Sequence, residues 1–429
     1  MFPAADTRSP AGTTRRTLLR TAALGALGVP ILSACSSGGA ARTVRFYQSK
    51  PEVIGYFDKL VAAFNKQNPD VNVVHDSSSS LVASFVRESP HDLVLNNYDL
   101  GAGTFVSRGV LSNLASVPEI SRINPSVQAL VGQYATPAQS TDVIPYSIAA
   151  AGVIYNKDLF AQHNVDVPAT WTELLDACRT FQSAGVTPFY MTFKDPWTIQ
   201  QGLFDYVAGS MIDVAGFYAE LKAEGAKAGT SAPVSFTKVF RPAVDKMAQL
   251  LAFGNHDAAA RAYPEGNAAF AAGKAAMYLQ GPWAIGEIAK ANPKLQVGTF
   301  ALPSTDNPDD RRARVNLDLA LWIPNGAGNP TGAHRFLSYL LTPEVLNKYN
   351  QDNLAYAPVK NPPPVTDQRI EGLQPYVRES KFYQGPGTYV PTVIPLGNYL
   401  QDFAISRDGT TLLQRMDNDW ERLAQRTSA

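Results

Sequence analysis

Apolar positions in this chain recur with two alternating periods. Thr43-Val44-Arg45-Phe46-Tyr47-Gln48 reads as a strand, and Phe57, Leu60, Val61 and Phe64 then fall at i, i+3, i+4 and i+7 on one helix face. Asn68-Pro69-Asp70 stops that helix, and Val71 to His75 forms a second strand. A Ser77 to Ser80 loop, a short helix and a third strand, Asp92 to Asn96, follow. This β-α-β-α-β order predicts right-handed crossovers and a largely parallel sheet. Ligands of such sheets sit beyond the carboxyl ends of the strands. Here the loops at those ends are Gln48-Ser49-Lys50, the serine run and Asn96-Asn97-Tyr98-Asp99.

A second α/β region begins after Pro145. Thr170-Trp171-Thr172-Glu173 has capping-box spacing and opens a helix over Trp171 to Gln182 that holds Cys178. Pro188 to Met191, Ala275 to Leu279, Val297 to Ala301 and Leu317 to Ile323 read as strands. Thr342-Pro343-Glu344 starts a helix with proline at its first position, and the chain is helical again from Thr410 to about Leu423. No internal repeat is evident. The pattern therefore gives two α/β lobes.

The N-terminus follows a different logic. Arg15-Arg16 precede an uncharged run from Thr21 to Ser33, too short to span a hydrocarbon core of roughly 30 Å and suited to a signal peptide. Leu32-Ser33-Ala34-Cys35 resembles the lipobox of bacterial lipoproteins, and Ser36 to Ala41 reads as a tether. The resemblance implies twin-arginine export of residues 1–34, lipidation of Cys35, and residues 35–42 linking anchor to domain. This division changes the charge picture. The 429 residues carry 37 basic and 37 acidic side chains, but the first 34 hold four arginines against one aspartate, leaving the rest at −3. Nothing basic enough to hold nucleic acid remains. With Cys35 assigned to lipid, Cys178 is the one thiol left, and its helix makes it a small core residue.

Motifs for covalent or metal chemistry are missing. The five histidines are scattered, and there is neither an H-E-x-x-H nor a G-x-S-x-G. Gly101-Ala102-Gly103 lacks the third glycine of a dinucleotide fingerprint, and Gly273-Lys274 lacks the rest of a P-loop. No cofactor or metal is implied. Two carboxylates brought together only in space could still serve glycoside hydrolysis.

Pro145-Tyr146-Ser147, Ile154 to Phe160 (Ile-Tyr-Asn-Lys-Asp-Leu-Phe), Pro168 to Leu174, and Ala268 to Met277 running into Gly281-Pro282-Trp283 resemble blocks of the family 1 solute-binding proteins of carbohydrate ABC transporters, to which maltose-binding protein belongs. Their order and spacing extend the resemblance from Thr43 to the C-terminus. It implies a type II periplasmic-binding-protein fold: two discontinuous α/β lobes, 43–145 plus 318–375 and 146–317 plus 376–429, hinged around a ligand cleft. It also implies a monomer whose partners are a carbohydrate, the permease subunits of an ABC transporter and, through Cys35, the outer face of the cell membrane.

A sugar offers apolar ring faces to aromatic side chains and a belt of hydroxyls to amides, carboxylates and lysine. On the resemblance the ligand-binding residues are Lys50, Asn97, Asp99, Asp195, Trp197, Gly281, Trp283, Asp318 and Tyr356, with Trp197 and Trp283 stacking. Asp99 has a competing role as cap of the helix from Leu100 to Ser107, and Lys50 as a solvated loop charge. Trp171, Trp322 and Trp420 read as core. Ala149 and Asn96 stand where maltose-binding protein has a carboxylate and a tryptophan, which argues against maltodextrin. The expected function is capture of a mono- or oligosaccharide without catalysis. Competing expectations are a receptor for glycerol phosphate or a polyamine, an exported hydrolase using Asp99 and Asp195, and a protein-binding lipoprotein scaffold.

Overall fold

A computed structural model describes residues 42–135 and 140–428, so Arg15, Arg16, Cys35, the signal assigned to residues 1–34 and all but Arg42 of the tether assigned to residues 35–42 lie outside the described residues. The predicted parallel start is present. β1 (Arg42–Tyr47) pairs in parallel with both β2 (Val71–Asp76) and β3 (Leu93–Asn96). Side chains alternate across it with the two-residue period of a strand. Val44 and Phe46, with Val71, Val73, Leu93 and Leu95, enter one core, whereas Tyr47 and Val94 face another. The helix Ile54–Gln67 covers the first face with Phe57, Val61 and Phe64, leaving Leu60 half-buried at its edge. Phe46 meets Phe57 and Phe336 edge-on at 6.0 and 5.1 Å, the favoured geometry for aromatic quadrupoles.

Two long strands organise the rest. β4 (Val143–Asn156) pairs over residues 143–151 with β8 (Ala313–Trp322), antiparallel. Over residues 152–156 it pairs instead with β6 (Ala275–Gln280) and β7 (Val297–Phe300). β8 likewise pairs with β3 at residues 320–322 and with β9 (Phe382–Gln384) at residues 313–315. β5 (Thr187–Tyr190) completes the order β2-β1-β3-β8-β4-β6-β5 among the described residues. Each long strand thus belongs to one lobe at one end and to the other lobe at the other. Their register slips beside Pro145, Ser147 and Ile148, where a proline has no amide hydrogen to give the ladder. Ile148 also exchanges backbone hydrogen bonds of 3.0 and 2.9 Å with Tyr356, so a third segment crosses there.

Local signals in the sequence hold at several points. The Thr170–Glu173 capping box is formed in both directions and starts the helix Trp171–Ser183. Cys178, Trp171, Trp322 and Trp420 are buried. Burial pushes the Cys178 thiol up to about 12, with nearby Arg179 opposing it weakly. The C-terminal helix is longer than expected, Gly409–Ser428. β4 was not foreseen at all, because nearly all of its side chains are buried and no alternation marks it as a strand. β9 was missed as well, being three residues long. Among the described residues no helix is long and apolar enough to cross a membrane.

Candidate functional site

A cavity of about 510 Å³ opens where the two lobes face each other. Ser49, Lys50 and Glu52 reach it from the end of β1, Asn96, Asn97 and Asp99 from the end of β3, and Asn316 and Asp318 from β8. Ala149 on β4, Gln201, Trp283 and Thr388 close it from the other side. The strand-end loops named in the sequence therefore converge, apart from the serine run.

Lys50 and Asp318 meet there. The Lys50 Nζ lies 2.7 and 2.9 Å from the two carboxylate oxygens, with both side chains largely covered. Asn97 braces the same residue by donating from Nδ2 to the Asp318 carbonyl at 2.6 Å. Asp99 caps the helix Leu100–Ser107, its Oδ1 accepting from the Ala102 amide at 2.9 Å. Asp99 lines the cavity as well, so capping does not take it away from the site.

Trp283 is half-buried at the first turn of the helix Pro282–Ala291, and its Nε1 donates to Gln280 Oε1 at 3.1 Å. That bond fixes the ring plane. Its indole lies directly over Gly281, where a Cβ would stand 2.2–2.6 Å from three ring carbons. Gly281 is accordingly present to admit the ring. It lacks any side chain of its own to offer a ligand.

Four of the expected residues lie outside the cavity wall, Gly281 among them. Tyr356 is buried, and its hydroxyl donates to the Ile370 carbonyl at 2.5 Å, away from the cavity wall. Asp195 and Trp197 also lie outside that wall. Asp195 Oδ2 accepts from the Tyr263 amide at 2.7 Å, and the Trp197 ring leans on Tyr263 with centroids 4.9 Å apart. Burial pushes the Tyr263 hydroxyl up to about 12 against a hydrogen bond with Asn267, and the charges of Glu287 and Glu52 add to the rise. Asp99 and Asp195 are therefore not a carboxylate pair facing one cavity.

The structure adds residues that carried no sequence signal. Gln201 reaches the cavity from a π-helical turn, Gln200–Phe204, whose extra residue re-aims the side chain. Tyr134 and Thr388 both line it and bond each other across the lobes at 2.8 Å. Beneath Thr388, Asp205 and Arg314 form an ion pair of 2.9 Å with both side chains fully buried. Asp205 Oδ1 also accepts from the Gly387 amide at 2.8 Å, which ties the segment Pro386–Tyr389 to the floor of the site. Arg314 is held above its ordinary value by Asp205 despite the cost of burial. Among the described residues no group of three or more His, Cys, Asp or Glu side chains converges as a metal site would need.

Comparison with known proteins agrees with this architecture. The "Multiple sugar-binding protein" of Streptococcus mutans is 24% identical over 374 residues, covering 83% of this chain and 85% of the relative. The "sn-glycerol-3-phosphate-binding periplasmic protein UgpB" of Rhizobium meliloti is 21% identical over 79% of this chain and 78% of its own. Among solved structures, apo RafE of Streptococcus pneumoniae superposes with a TM-score of 0.78 at 19% identity, covering 90% of this chain and 98% of that one. RafE in complex with raffinose gives 0.72 at 20% identity, covering 90% of this chain and all of that one. The fold is that of the type II periplasmic solute-binding proteins. Residues 49–346 match the family profile itself, and the chain belongs to the bacterial extracellular solute-binding proteins.

Proposed function

We propose that this protein captures a mono- or oligosaccharide outside the membrane and delivers it to the permease of an ABC transporter. One observation carries the reading: a cavity of about 510 Å³, walled by both lobes, sets one indole against a ring of amide, carboxylate and hydroxyl groups. Trp283 takes an apolar sugar face. Lys50, Asn97, Asp99 and Asp318 from one lobe, and Gln201, Asn316 and Thr388 from the other side, serve its hydroxyls. Contacts from both lobes favour the closed state selectively, which is how a ligand shifts such an equilibrium. Trp197 and Tyr263 supply a second aromatic wall once the lobes approach. Lobes of 43–145 plus 318–375 and 146–317 plus 376–429 fit the strand pairing at the first two crossings. We place the third crossing near Tyr356, which exchanges backbone hydrogen bonds with Ile148 on β4, since Gly372 beyond it packs on the backbone of Thr299 in β7.

Export by the twin-arginine signal and a lipid on Cys35 would hold the receptor beside its permease. Detergent-phase partitioning that disappears in Cys35→Ala tests the anchor. The sugar reading is tested by thermal unfolding against a saccharide panel that includes raffinose and galactose, followed by calorimetry. A stabilising sugar whose affinity falls at least tenfold in Trp283→Ala, with an unchanged melting temperature for the free variant, is the expected result. Unaltered affinity in that variant rejects the site; turnover of any oligosaccharide rejects the receptor reading.

A further inference from the structure

Resting on the sugar reading, we infer that the cleft selects uncharged saccharides over anionic ones, with Glu52 the residue that sets this discrimination. The charged side chains lining the cavity are Lys50, Glu52, Asp99 and Asp318. The single cation is already spent, since Lys50 grips both oxygens of Asp318. Glu52 and Asp99 have no ion-pair partner among the described residues, which leaves the wall with two uncompensated negative charges. No arginine lines the cavity, so the bidentate fork that best receives a phosphate or carboxylate is missing from the wall.

Helix N-termini are the other usual anion sites, because their amides and dipole attract negative charge. Both that point here are occupied. The start of Leu100–Ser107 is satisfied by the carboxylate of Asp99 itself. The start of Pro282–Ala291 loses one donor to Pro282 and is covered by the Trp283 indole lying over Gly281. A ligand anion thus meets a carboxylate at one of these helix starts and an indole at the other.

Three carboxylates share the wall: Glu52, Asp99 and Asp318. Glu52 is the one of these carboxylates with no structural duty. It is exposed in the turn Pro51–Val53, its side chain makes no hydrogen bond among the described residues, and it lines the cavity beside Lys50.

A like charge a few ångströms away in a partly wet cleft weakens binding on the order of tenfold or more. The test uses the mature chain and calorimetry at two ionic strengths. Probes are an uncharged oligosaccharide panel, the same oligosaccharides oxidised to uronic acids, and sn-glycerol 3-phosphate. The expected result is that an uncharged sugar binds, its uronate binds at least about tenfold more weakly, and the ratio narrows about threefold or more in Glu52→Gln. Asp99→Asn, which keeps a capping side chain, narrows it too. High salt narrows it in the parent and leaves Glu52→Gln less changed. A uronate bound as tightly as its neutral parent overturns the inference while leaving the sugar reading intact, and so does a ratio unmoved by Glu52→Gln. Binding of sn-glycerol 3-phosphate with no response to any uncharged sugar overturns both.

Discussion

Replacing Asp205 by Asn removes the carboxylate that, alone among the described residues, pairs with the fully buried guanidinium of Arg314. Arg314 and Asp205 are each 0% exposed, and Arg314 Nε donates to Asp205 Oδ2 at 3.0 Å while Nη2 stands 2.9 Å from the same oxygen. Nη1 has no hydrogen-bond partner among the described residues, so the guanidinium depends on that one carboxylate. Losing one partner of a buried pair costs about 3–5 kcal/mol, because the remaining charge stays desolvated. At roughly 2 °C per kcal/mol for a chain of this size, the melting temperature of the ligand-free protein falls by about 6–10 °C. The loss reaches the cleft as well. Arg314 sits two residues before Asn316 on β8, and Asp205 holds the Gly387 amide next to Thr388, both cavity residues. Differential scanning calorimetry reads the stability and titration with the bound sugar reads the site. Asp205→Leu combined with Arg314→Met should recover most of the stability, since apolar replacements of buried pairs are often neutral or better. A single variant that melts within about 2 °C of the parent refutes the reasoning, because an unpaired buried arginine cannot be that cheap.

Further outcomes follow from neighbouring features. Gly281→Ala pushes the indole of Trp283 from its seat, so sugar affinity falls about as far as in Trp283→Ala and tryptophan emission shifts; parent-like binding would show that the ring has room the structure denies it. In the native Cys35→Ser chain, Cys178 stays unreactive to a thiol reagent at pH 8 for as long as the fold persists, since burial raises its thiol to about 12, whereas the denatured chain reacts at once. Acid exposes Asp76. Burial raises its carboxyl, but hydrogen bonds from His91, the Ser79 hydroxyl and the Ser79 and Ser78 amides win and hold it well below its ordinary value of 3.8. A depressed folded-state value stabilises above the unfolded one, and that contribution is lost as pH falls below about 4. Asp76→Asn should therefore flatten the stability profile on the acid side of pH 4, measured by urea unfolding at stepped pH, and leave its alkaline side alone.

Which parts of this site were readable in the sequence depends on how its residues are held. Lys50, Asn97 and Asp99 follow directly from two strands whose alternation and length are plain, because a strand end and the loop beyond it travel together. Trp283 was readable only through the resemblance, since Gly281-Pro282-Trp283 matches a family block whose tryptophan stacks on the ligand, and the structure sets that ring at a helix start. Gln201 and Thr388 were not. The first depends on one extra residue in a helical turn, a change in winding that leaves no mark on apolar periodicity. The second depends on a segment carried to the cleft by a buried carboxylate 182 residues earlier in the chain. Tyr356 shows the converse ambiguity. An aromatic near a crossing fits a ligand site and a hinge brace equally well until its hydroxyl is seen to be satisfied by Ile370. Long-range polar contacts thus decide what local pattern leaves open. For that reason Glu52, exposed and free of such contacts, is where ligand preference can change without disturbing the hinge or the core.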